Sequence, residues 1–72
     1  MCRQRMFSIT ITAEQFDSAH EIIDRYYDQG RIERISVGND VIDHTYQVWM
    51  ECGTDDFEDI KKELRDNKIK LL

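Results

Sequence analysis

Two stretches of period two, two stretches of helical period and the order in which they alternate predict an α+β domain: a four-stranded antiparallel sheet in the order 4-1-3-2, with two helices on one face. The first stretch, about 5–12, sets Phe7, Ile9 and Ile11 on one side and Ser8, Thr10 and Thr12 on the other, as a strand with one buried face requires. Thr12-Ala-Glu-Gln then supplies a capping box, in which the Thr12 hydroxyl accepts from the Gln15 amide and the Gln15 side chain reaches back. A helix over about 13–29 follows. It carries Phe16, Ala19, Ile23 and the Tyr26-Tyr27 pair at helical spacing, with Gly30 placed for a left-handed C-terminal cap.

Ile32, Ile35 and Val37 alternate only roughly in a second strand over about 31–37, and Gly38-Asn39 is expected to form a tight hairpin turn. The third strand, about 41–52, is the most regular. Ile42, His44, Tyr46, Val48, Met50 and Cys52 share one side, while Asp43, Thr45, Gln47, Trp49 and Glu51 share the other. Gly53 breaks it. Asp55 with Glu58 signals a second helix over about 55–67, lined by Phe57, Ile60 and Leu64, and residues 68–72 alternate briefly as a short edge strand. Right-handed crossovers fold this βαββαβ order into a ferredoxin-like sandwich, with residues 1–72 as a single domain. That arrangement serves phosphatases, metal chaperones, RNA binders, ligand sensors and inhibitors alike, so function must be sought in the side chains.

Composition narrows the search. Fifteen acidic residues against ten basic ones leave a net charge of −5, which opposes general binding to nucleic acid and favours protein partners with basic surfaces. Met1-Cys2-Arg3-Gln4-Arg5 is basic but leads into alternation rather than an apolar run, so neither a signal peptide nor a membrane span is expected. A cytoplasmic location with Cys2 and Cys52 reduced follows from that expectation. A disulfide between them is the lesser reading, although the topology brings the start of strand one towards the end of strand three.

Little in the sequence speaks for catalysis. Cys52 precedes a helix N-terminus, yet Asp55, Asp56, Glu58 and Asp59 follow it and would disfavour a thiolate. His20 and His44 share no established ligand spacing with Asp40 or Asp43, so no metal is expected. The connection Ile-Thr-Ala-Glu between the first strand and helix cannot cradle phosphate as a glycine-rich loop does. Neither enzyme activity nor a cofactor is anticipated.

Two surfaces stand out as candidates for binding. Trp49 faces the open side of the sheet among small polar residues, where indole often serves an interface, including one between two copies of the chain. With acidic neighbours and no second aromatic, that face is poorly suited to stacking RNA bases. The second is on helix one. Glu14, Asp17, Glu21, Asp24 and Asp28 recur at intervals of three and four, which gathers five carboxylates into one narrow stripe opposite the apolar face. Asp17 with Glu21 and Asp24 with Asp28 are like-charge pairs one turn apart, and only Arg25 lies nearby to relieve them. Two plainer readings of the stripe are a solvated face and pairing with Lys61, Lys62 or Arg65 of the second helix. The expectation drawn here is an acidic docking surface for a basic protein, in its sharpest form an imitation of a nucleic-acid backbone of the kind small phage inhibitors use. A regulatory or ligand-sensing domain dimerising through the sheet is the first alternative. A nucleic-acid binder using Arg3, Arg5, Arg31, Arg34, Lys68 and Lys70 is the second.

Overall fold

In a computed structural model that describes residues 4–72, the alternating and helical stretches become β1 (Arg5–Thr12), α1 (Ala13–Asp28), β2 (Ile32–Asp40), β3 (Thr45–Cys52) and α2 (Thr54–Asp66). Alternation buries Ile9 and Ile11 from β1 and Val48, Met50 and Cys52 from β3 on the face that meets both helices. The helices answer with Ala19, Ile22, Ile23 and Tyr26 from α1 and Phe57, Ile60 and Leu64 from α2. Stacked rings close the two ends of this core, Phe7 on Phe57 with centroids 4.2 Å apart and Phe16 on Tyr46 at 4.0 Å. Tyr27, expected on the apolar stripe, stands outside it and is exposed.

The sheet has three antiparallel strands in the order β1-β3-β2, so the expected four-stranded, ferredoxin-like sheet of order 4-1-3-2 is not what this chain forms. The difference lies at the C-terminus, where residues 68–72 make only an isolated bridge, Ile11 with Leu71, and one bond from the Leu72 N–H to the Thr10 carbonyl at 2.9 Å. Two interactions, one local and one distant in sequence, outcompete a strand there. The end of α2 closes in a Schellman motif, with the Ile69 N–H donating to the Leu64 carbonyl and the Lys68 N–H to that of Arg65, both at 2.9 Å, and Lys68 at φ 62°. The Gln15 side chain then takes the next backbone groups, donating to the Lys68 carbonyl at 3.0 Å and accepting from the Lys70 N–H at 2.9 Å. A side-chain amide thus stands where a neighbouring strand's peptide would. It also follows that no capping box forms at Thr12, whose side chain makes no cap bond.

The β2–β3 hairpin is longer than expected. Gly38 and Asn39 remain in the ladder opposite Gln47 and Tyr46, and the chain reverses through Val41-Ile42-Asp43-His44 instead. Asp40 sets this turn by accepting from the N–H groups of Ile42 and Asp43 at 3.1 Å each, and His44 completes it at φ 55°. His44 is therefore an exposed turn residue, not an inward-facing one, and its carbonyl accepts the Ala13 N–H at 2.8 Å. A register shift between Ile32 and Arg34 leaves Glu33 as the extra residue of a bulge, which explains the three-residue step from Ile32 to Ile35. At the far end, Gly53 rather than Asp55 is the N-cap of α2.

Candidate functional site

The five carboxylates of the stripe, Glu14, Asp17, Glu21, Asp24 and Asp28, are all exposed. Among the described residues the ion pairs touch the stripe at one point only, where His20 Nδ1 lies 3.6 Å from Asp24 Oδ2. Arg25, the cation nearest in sequence, turns away: its Nη2 donates to Glu63 Oε2 at 2.8 Å on α2, where Glu63 also accepts from the Tyr26 hydroxyl at 3.1 Å. Lys61 pairs with Glu58 at 3.3 Å and extends over the Phe57 ring. None of Lys61, Lys62 and Arg65 reaches the stripe. Asp28 also occupies the last turn of α1, where the helix dipole disfavours negative charge.

The neighbouring acidic group behaves differently. Arg31 follows the Schellman end of α1, where its N–H donates to the Tyr26 carbonyl at 3.0 Å and Gly30 supplies the left-handed residue at φ 76°. From there its guanidinium reaches Asp56 at 2.8 Å and Asp59 at 2.6 Å and lies 4.7 Å from the centre of the Tyr26 ring. The hydrogen bonds to Asp59 and Asp56 raise the Arg31 pKa further, so this contact holds its charge at any ordinary pH. Burial, followed by the bond to Glu63, raises the Tyr26 hydroxyl pKa as well.

Cys52 is fully buried with a free thiol, and burial together with the nearby Asp56 raises its pKa, which is the opposite of what a thiolate nucleophile needs. Its pairing with Cys2 falls outside the described residues. No three His, Cys, Asp or Glu side chains converge as a metal site among the described residues.

On the open side of the sheet, Trp49 is half-buried rather than free. Its indole lies over Gly38, such that a Cβ at that position would stand 3.0 Å from Cζ3 and 3.3 Å from Cη2 of the ring. Trp49 also walls a cleft of about 580 Å³ between the sheet face and the hairpin turn, with Thr10 and Gln47 on its floor and Asp40 and Asp43 at the turn. Ile42, 90% exposed, stands at its rim. Sequence periodicity did not anticipate this cleft because it placed the turn at Gly38-Asn39. A signal was present in the strand pattern: residues 47 and 49 share a face, and a glycine in the adjoining strand commonly marks close approach by another group.

Comparison with protein-family models, curated proteins and solved structures finds no match to this chain. Among the described residues no helix is long and apolar enough to cross a membrane.

Proposed function

We propose that this chain is a non-enzymatic binding domain that acts by occupying a basic surface on a protein partner, with Glu14, Asp17, Glu21, Asp24 and Asp28 of α1 as the docking face. The observation that carries the reading is the commitment of Arg25 to Glu63, which leaves five exposed carboxylates with a single histidine contact. A cation placed on α1 beside like-charge pairs would ordinarily relieve them. Here it serves the contact between helices, and relief is left to whatever binds. A cytoplasmic setting belongs to the same proposal.

Charge geometry refines the partner. From Glu14 to Asp28 the stripe rises roughly 21 Å, about one carboxylate per 5 Å, in one straight row, whereas the phosphates of a DNA strand wind around the helix axis as they rise along it. A single straight row suits a basic protein surface, with imitation of nucleic acid as its special case. The test is retention of basic proteins from a cell extract on the immobilised chain, beside a variant with Glu14 and Glu21 changed to Gln and Asp17, Asp24 and Asp28 changed to Asn. Basic proteins held by the parent and lost from the variant are expected, and equal retention by both would refute the docking role. Displacement of the retained protein by duplex DNA would select the mimic form.

The cleft beside Trp49 supports a second reading, a small-ligand sensor, because its size falls within the range usual for ligand sites. Its ligand would alter Trp49 emission; a panel of small polar compounds that leaves the emission unchanged would count against it.

A further inference from the structure

The β2 strand is an edge of the sheet, and its outward backbone groups can be assigned from a bond on the opposite edge. The Thr10 carbonyl accepts the Leu72 N–H, so the backbone groups of Thr10 point away from β3. In an antiparallel ladder, facing pairs alternate between bonded and non-bonded, and each residue's N–H and C=O point the same way. Gln47, opposite Thr10, must therefore direct its groups to β2 and bond with Gly38. By the same alternation Ile35, Val37 and Asn39 direct their N–H and C=O groups outward. The strand runs without a register shift from Arg34 to Asp40, so this edge is regular over that length.

We infer that the β2 edge pairs with the β2 edge of a second copy, antiparallel and with the two-fold axis at Val37, joining two three-stranded sheets into one of six strands. The register follows from the length of regular strand. The two-fold must fall on a residue rather than between two, so that outward-facing residues meet outward-facing ones and the ladder bonds can form. An axis at Ile35 or Ser36 would bring the bulged Glu33 into the ladder, and one at Gly38 or Asn39 would bring in Val41 of the turn. The axis at Val37 alone pairs the whole of 34–40, regular strand against regular strand.

Charge fits the same register. With the axis at Val37, Arg34 of one copy stands opposite Asp40 of the other, twice by symmetry, and both side chains lie on the open face of the sheet. Arg34 takes part in none of the ion pairs among the described residues, and Asp40 uses only Oδ1 in the turn. On the helix-bearing side, Val37 and Tyr27 are 45% and 47% exposed beside the half-buried Ile35, apolar surface that an edge-to-edge partner would cover. Glu33 and the bulge limit the ladder at one end and the turn limits it at the other, so a self-paired strand of this length leaves no overhang for further addition. The pairing uses none of the five carboxylates of the stripe and shares Asp40 with the cleft.

Sedimentation velocity on the full chain, from about 10 µM to about 1 mM, tests this with a charge swap. The parent is expected to shift from monomer to twice the monomer mass. Arg34→Asp and Asp40→Arg should each weaken association about tenfold, by setting like charges opposite each other at both symmetric positions, and the double variant should restore it. The Asp40→Arg arm is discriminating because it lowers the net charge from −5 to −3, which would strengthen any association opposed merely by overall repulsion. Should that variant lose the hairpin by circular dichroism, Asp40→Asn retains the turn acceptor and should still weaken the dimer. A parent that stays monomeric throughout, a dimer indifferent to both reversals, or one abolished by Trp49→Ala but not by Arg34→Asp would each overturn the β2 pairing.

Discussion

The two helices bury their inner faces in the same core and treat charge on their outer faces in opposite ways. On α2, Asp56 and Asp59 hold Arg31, Glu63 holds Arg25 and the Tyr26 hydroxyl, and Glu58 holds Lys61. On α1, the stripe has one histidine contact and gives up its nearest cation to α2. Of the six α2 carboxylates, Asp56, Asp59 and Glu63 fasten the end of α1 and the start of β2 to the second helix and Glu58 pairs within it, while Asp55 and Asp66 take part in no ion pair among the described residues. On α1 none of the five is held by a cation of another element, and a surface that folding leaves unrelieved is where an external partner is expected.

The comparison should vanish for the inner faces. Leu64→Ala in α2 and Ile23→Ala in α1 each remove a side chain with at most 1% exposure and should each cost about 3 kcal/mol in urea unfolding. For a chain of this length, whose stability is expected at about 0.05–0.15 kcal/mol per residue, that is a large fraction of the total. A clear inequality between the two would mean that the helices differ in more than their outer charge.

The helix ends sharpen the contrast at a smaller scale. Both helices finish in Schellman motifs, but α1 places Gly30 in the left-handed position and α2 places Lys68 there. Gly30→Ala is expected to destabilise by about 1 kcal/mol, whereas Lys68→Gly should stabilise by a similar amount, read as opposite shifts in the thermal midpoint. If Lys68→Gly destabilises instead, the Lys68 side chain contributes something at this end that the backbone account omits.

Much of this architecture was legible as periodicity, and the departures have identifiable causes. β1, α1 and α2 follow directly from alternation and helical spacing because each has a single buried face. The broken alternation of β2 was itself information, the trace of a bulge at Glu33. Gly38-Asn39 misled because a glycine beside asparagine usually provides positive φ in a turn, while Gly38 has ordinary extended geometry and is small so that Trp49 can lie over it. The last strand failed through competition that local pattern does not contain: Gln15, distant in sequence, supplies the hydrogen bonds that a fourth strand would have drawn from its neighbour. The stripe was visible from spacing alone. The diversion of Arg25 was not, because it depends on where Glu63 lies in three dimensions.

The smallest expected effect bears most directly on the contrast between the helices. Changing Asp17 and Asp28 to Asn removes one member of each like-charge pair and the acid at the wrong end of the dipole, which should raise stability by about 0.5 kcal/mol at low ionic strength. Arg31→Ala should do the reverse, because it leaves Asp56 and Asp59 facing each other and uncovers Tyr26. Salt separates the two cases further. Repulsion along an exposed helix face is screened within about 10 Å at 0.1 M, so the gain from the Asn substitutions should shrink as salt is added, while a loss partly due to the Arg31–Tyr26 contact should persist. Melting curves at low and high salt would show this as a difference in slope. If neutralising the stripe instead lowers stability, its carboxylates already have a stabilising role within the fold, and the argument that they await a partner loses its physical basis.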